Sequence, residues 1–129
     1  MTNKTAAHLI AEARARTGHL TAEEVAAELR EQSVLLVDLR EPDERVEHGV
    51  IRGAVHAPRG MLEFYADPTS AYFHPEFDPA HRTILFCASG GRAALAAETL
   101  LTLGYTRVAY LKGGLQAWCE AGYGVESPV

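Results

Sequence analysis

The chain has 129 residues, of which 47% are hydrophobic, 22% charged and 8% aromatic, a balance that suits one globular domain and excludes a disordered chain. The formal net charge of -5 argues against nucleic-acid binding, which needs a basic face to neutralise phosphates. Met1 to Thr5 leads into a segment carrying Glu12, Arg14 and Arg16, with no uninterrupted apolar run, so neither a signal peptide nor a membrane span is expected. Cys87 and Cys119 are the two cysteines and form no Cys-x-x-Cys pair; they are read as reduced thiols in the cytoplasm.

The first element is a polar, Ala-rich helix from Ala6 to Arg16. Thr21-Ala22-Glu23-Glu24 has the form of a capping box, and Ala22, Val25, Ala26 and Leu29 give the helix behind it an apolar stripe. Val34-Leu35-Leu36-Val37 is a continuous apolar run, as in a strand buried on both faces. It ends at Asp38-Leu39-Arg40-Glu41, where Pro42 opens a short helix. Ile51 to Pro58 allows only a short strand. From Phe64 to Arg82 the chain is irregular, with Pro68, Pro75 and Pro79 and the aromatics Tyr65, Tyr72, Phe73 and Phe77, which either roof a site or form a satellite core. Thr83-Ile84-Leu85-Phe86 is a second buried strand, followed by a helix from about Arg92 to Leu103 that stops at Gly104. Val108 to Leu111 is a further strand, and Leu115 to Glu120 the last helix. Alternating strands and helices predict one α/β domain: a central parallel sheet with helices on both faces.

In such sheets ligands bind beyond the carboxyl ends of the strands. There the sequence places Cys87-Ala88-Ser89-Gly90-Gly91-Arg92. The helix start presents unpaired N–H groups and a partial positive charge, which stabilise a thiolate, the reactive form of cysteine. Gly90 and Gly91 can take positive φ, so that successive amides of Ala88, Ser89, Gly90, Gly91 and Arg92 curl inward around one point. Arg92 adds a fixed charge at the rim. A buried strand-end cysteine with no chemistry is the bland alternative, and this turn weighs against it.

Cys87 to Arg92 resembles the six-residue active-site loop of rhodanese domains. Asp38-Leu39-Arg40-Glu41-Pro42-Asp43-Glu44 is similar to that family's Asp-Val-Arg-Glu-Pro-x-Glu. Gly49-Val50-Ile51-Arg52-Gly53-Ala54 is similar to its Gly-His-Ile-Pro-Gly-Ala turn, with Val50 and Arg52 in place of His and Pro, and Gly113-Gly114-Leu115-Gln116-Ala117-Trp118 to its closing Gly-Gly-x-x-x-Trp. The resemblance spans residues 20–126 as a rhodanese-like domain, with 1–19 as an N-terminal helical extension. It implies a doubly wound domain and a sulfurtransferase in which Cys87 takes sulfane sulfur from thiosulfate, or a related small anionic donor, as a persulfide. A thiophilic acceptor, such as cyanide, a protein thiol or a sulfur-carrier partner, then removes it. Neither metal nor cofactor is implied, and none of the six histidines, His48, His56, His74 and His81 among them, has metal-ligand spacing.

The resemblance also makes Asp38, Arg40 and Glu41 scaffold residues near the site, and it puts Arg59 on the substrate side, where it would meet an anionic donor. Cys119 reads as a packing residue. The nearest rival enzyme is a cysteine-dependent phosphatase of the same fold. Its loop holds five residues between Cys and Arg; the four here make a cup suited to one sulfur rather than to a phosphoryl group with three equatorial oxygens. A non-catalytic rhodanese-like binding module is the rival from another class, and it typically lacks the cysteine.

Overall fold

A capping box starts the helix that follows Thr21. Thr21 accepts the Glu24 N–H at 3.1 Å while Glu24 Oε1 accepts the Thr21 N–H at 2.9 Å, so both orphan donors are satisfied reciprocally. The computed structural model describes residues 3–128, which run in the order α1 (Ala6–Arg16), β1 (Gly18–Leu20), α2 (Ala22–Glu31), β2 (Leu35–Asp38), α3 (Pro42–His48), β3 (Val55–His56), α4 (Leu62–Ala66), β4 (Thr83–Phe86), α5 (Gly91–Thr102), β5 (Val108–Leu111) and α6 (Gly114–Glu120). A 3-10 turn, Arg59–Met61, leads into α4.

The five strands form one all-parallel sheet in the order β1-β5-β4-β2-β3. Because side chains alternate along a strand, the sheet splits the core into two clusters. Leu35, Val37, Leu85 and Tyr110 face α1, α4 and α5, whose Ala13, Leu62, Ala93 and Ala97 are buried against them. Leu36, Ile84, Phe86 and Leu111 face α2 and α6, meeting Val25, Ala26, Leu115 and Trp118. Cys87 continues the alternation onto the α1 and α5 side. Among the described residues no helix is long and apolar enough to cross a membrane.

β1 is absent from the sequence reading, whereas α1 is the helix expected from Ala6 to Arg16. β1 has three residues, with only Leu20 apolar, yet it pairs with β5 as an edge strand, so the sheet begins at Gly18. α1 lies against α5 and buries Ala13 completely. The stretch 64–82 holds the rest of α4 and then wraps the core: Phe77 is buried, Tyr65 stacks on His74 at 4.0 Å, and Tyr105 donates its hydroxyl to Ala66 O at 2.8 Å. Its aromatics form no satellite core: Phe77 belongs to the main core on the α1 and α5 side, with Tyr65 and Phe73 packed against it, while Phe64 and Tyr72 stay exposed.

Candidate active site

The chain turns one way from β2 to β3 and the other way from β4 to β5, so the crevice at the topological switch lies between the carboxyl ends of β2 and β4. Register puts Asp38 beside Phe86, and the Leu39 N–H continues the ladder to Phe86 O at 2.9 Å. The two loops named in the sequence therefore leave the sheet side by side.

Cys87 is 1% exposed, and its Sγ accepts the Gly90 N–H at 3.1 Å. That bond needs the chain to reverse within three residues. Gly90 supplies the reversal with φ 116°, a region that side-chain-bearing residues rarely enter. The expectation of positive φ at both glycines holds for Gly90 alone. Gly91 has ordinary φ as the first residue of α5, and a Cβ there would meet only the end of the Ile10 side chain at 3.3 Å. Ala88 is half-buried and Ser89 exposed at the loop's crest.

The loop rests on α6. Leu115 N–H donates to Cys87 O at 2.8 Å and Gln116 N–H to Ala88 O at 3.1 Å. Gly114 makes this approach possible: a Cβ at its position would stand 2.5 Å from Cys87 O. The Gly113-Gly114 pair thus forms a seat for the Cys87 loop.

Arg92 forms a bidentate pair with Glu44 across 48 residues, both N–H···O distances being 2.8 Å. The Arg92 hydrogen bonds, opposed by burial and aided by the Glu41 N–H, hold the Glu44 carboxyl down at about 2. Arg92 is pushed further above its usual range by Glu44 and, after it, by the charge of Cys87. Glu44 is the site residue that the sequence reading left unassigned, although it closes the Asp38–Glu44 motif. Its lowered carboxyl sets a direction for pH. Stabilisation is full above about 4.5 and is lost as the pH falls toward 2. Glu44→Gln removes this dependence, so between pH 7 and pH 3 wild type should lose about 1–2 kcal/mol more than the variant in urea unfolding. That figure is discounted because the Arg92 side chain is 38% exposed.

Asp38 and Arg40 are both buried and paired through Nε–Oδ1 at 2.9 Å and Nη2–Oδ2 at 2.8 Å. Arg40 Nη2 also donates to Gly49 O, Arg45 adds a second cation to Asp38, and His56 Nε2 meets Arg40 O at 2.6 Å. These bonds fasten the β2 loop to the turn at 49–54. Glu41 is exposed and begins α3, its backbone N–H donating to Glu44 Oε2 at 2.8 Å. Arg59 is not brought to the loop. Its guanidinium donates to Glu63 Oε1 at 3.0 Å and Thr99 Oγ1 at 3.1 Å, and Thr99 lies about 12 Å along α5 from Gly91. Cys119 is exposed rather than packed, because α6 turns that face to solvent. It lines a cleft of about 380 Å³ with Arg40, Ala88 and Ser89.

The site is thus a parallel α/β sheet that delivers a cysteine to a helix start at its switch point, with an arginine alongside. The chain belongs to the rhodanese-like domain family, whose pattern matches residues 21–121. It is 31% identical over 97 residues to a sulfurtransferase of Allochromatium vinosum, a match covering 75% of this chain and 82% of that protein. It is similar in structure to a Rhodopseudomonas palustris protein of unknown function described as a possible tyrosine phosphatase: TM-score 0.92, 35% identity, 98% of this chain and 97% of that one. It is also similar to a thiosulfate sulfurtransferase of Pseudomonas aeruginosa, with TM-score 0.75 and 30% identity over 96% of this chain and 23% of that one. The chain spans 49% of one further relative, from Synechocystis. Family and relatives together support sulfur transfer as the general activity.

Proposed function

We propose that the protein takes sulfane sulfur from thiosulfate or a related anionic donor onto Cys87 as a persulfide and passes it to a thiophilic acceptor. The observation that carries this reading is the Cys87 Sγ held at a helix start, accepting the Gly90 N–H beside Arg92. The thiolate attacks the outer sulfur of thiosulfate; the S–S bond breaks and sulfite leaves with the electron pair. N–H groups of Gly91 and Arg92, at the start of α5 and without intrahelical acceptors, supply donors for the charge on the bound sulfur. A protein thiol fits the same acceptor chemistry. The two free cysteines support a reducing compartment, and we place the protein in the cytoplasm.

Phosphate chemistry is the rival that the Rhodopseudomonas palustris neighbour's description raises. Two features weigh against it here. Four residues separate Cys87 from Arg92, and the Arg92 fork, which a phosphate would need, is occupied by Glu44 at 2.8 Å. Parallel assays test the choice: thiosulfate-to-cyanide transfer should be robust, and aryl phosphate hydrolysis at least about 10³-fold slower in kcat/KM. Phosphatase turnover matching or exceeding sulfur transfer would reverse the assignment.

A further inference from the structure

The alternation that puts Cys87 on the α1 and α5 side of the sheet also puts it in one cluster with Ala13 of α1 and Tyr110 of β5. On that side of the loop a cleft of about 360 Å³ is lined by Arg14, His19, Ser89, Tyr110, Lys112 and Gly113. Ser89 is the crest of the Cys87 loop, and Gly113 lies 3.4 Å from where a Gly90 Cβ would stand. Among the described residues no carboxylate lines the cleft. Of the 12 Lys and Arg side chains, only Arg14, Arg30 and Lys112 lack a hydrogen-bond or ion-pair partner among the described residues, and two of these three meet here. Glu23 shares an adjoining cleft with Lys112 but makes no ion pair with it. In a chain of net charge -5, two unpaired fixed cations at the rim of a reactive loop form a local anion trap.

The cleft is too large for thiosulfate alone. It holds roughly a dozen waters at about 30 Å³ each and falls in the range of about 300–1,000 Å³ typical of small-molecule sites. Tyr110, 3% exposed, and the exposed His19, whose rings lie 6.0 Å apart, give it an aromatic wall. Arg14 and His19 lie outside the residues matched to the family, 21–121, so α1 and β1 bring their own chemistry to the loop.

We propose that this cleft, built by Arg14, His19 and Lys112 beside Ser89, is the subsite for the anionic body of a small thiol carrying at least two carboxylates, which accepts sulfur from Cys87. The inference rests on the persulfide reading above. In the step, the acceptor thiolate forms an S–S bond to the terminal sulfur of the Cys87 persulfide. The Cys87 Sγ–S bond breaks, its electron pair returns to Sγ as thiolate, and the acceptor leaves as its own persulfide with no other reactant consumed.

Glutathione, with two carboxylates, and dithiothreitol, with none, serve as probes after loading with thiosulfate. In Arg14→Gln and in Lys112→Gln the ratio of kcat/KM for glutathione to that for dithiothreitol should fall about fivefold each, and about twentyfold in the double variant. The fall should lie in KM, and Arg14→Lys and Lys112→Arg should restore most of it. An unchanged ratio, or equal losses for both thiols, would overturn the proposal. A second measurement does not depend on transfer. In Cys87→Ser, S-methylglutathione should shift the amide resonances of Ser89, Lys112 and Gly113, and the shifts should vanish when Arg14→Gln and Lys112→Gln are added. Shifts elsewhere, or none, also count against the subsite. Failure to form any persulfide would sink the parent reading while leaving this binding result to decide the cleft.

Discussion

Cys87→Ser is expected to lower thiosulfate-to-cyanide transfer by at least about 10⁴-fold, to the background rate, because a hydroxyl forms no persulfide. The fold should survive. Serine is slightly smaller, its Oγ can take the Gly90 N–H that Sγ accepts at 3.1 Å, and the cost of a satisfied hydroxyl in place of a thiol is about 1–2 kcal/mol. Circular dichroism and thermal unfolding on the same sample separate the two effects. Substantial transfer in the folded variant would remove Cys87 from the nucleophile's role and leave Cys119, exposed in the neighbouring cleft, as the thiol to examine.

Gly114→Ala should be the most damaging single-methyl addition near the site. The new Cβ would meet Cys87 O at 2.5 Å and the Ala88 carbonyl carbon and oxygen at 2.7 Å, all backbone, and Gly114 has φ 60°. Relief requires α6 to withdraw, which breaks the Leu115 and Gln116 bonds to the loop. We expect a loss of about 3–4 kcal/mol, or roughly 10–15 °C in melting temperature, and about a 10²-fold fall in transfer as Sγ moves off its position. Gly53→Ala is the matched control. It also has a positive φ, 85°, but open space around the Cβ, so it should cost only about 1–2 kcal/mol and leave transfer intact. Equal stability of the two variants would show that the α6 contact does not hold the loop.

What the sequence made legible is what short-range chemistry determines. Thr21 and Glu24 announce their helix because the capping box closes within four residues, and Thr83 to Phe86 announces a strand because all four are buried. The Cys87 loop stands out for the same reason: strand, small residues and helix start are contiguous. The Glu44–Arg92 pair was not legible, since its partners are 48 residues apart and meet only because β2 and β4 are neighbours. Gly90 and Gly91 look interchangeable until the helix is seen to begin at Gly91. Arg59 looked available to an anion, but a nearby carboxylate at Glu63 and a hydroxyl at Thr99 engage it first. β1 escaped notice because an edge strand of three residues needs little apolar patterning when β5 supplies the ladder.

The central claim is that Cys87 carries sulfur, and intact-protein mass spectrometry with peptide mapping tests it most directly. After incubation with thiosulfate, the peptide containing Cys87 should gain about 32 Da, one sulfur atom, and cyanide should return it to its starting mass. Cys119 should stay unmodified in the same digest. A folded protein whose Cys87 peptide gains no mass, or whose added sulfur sits on Cys119, would contradict the account.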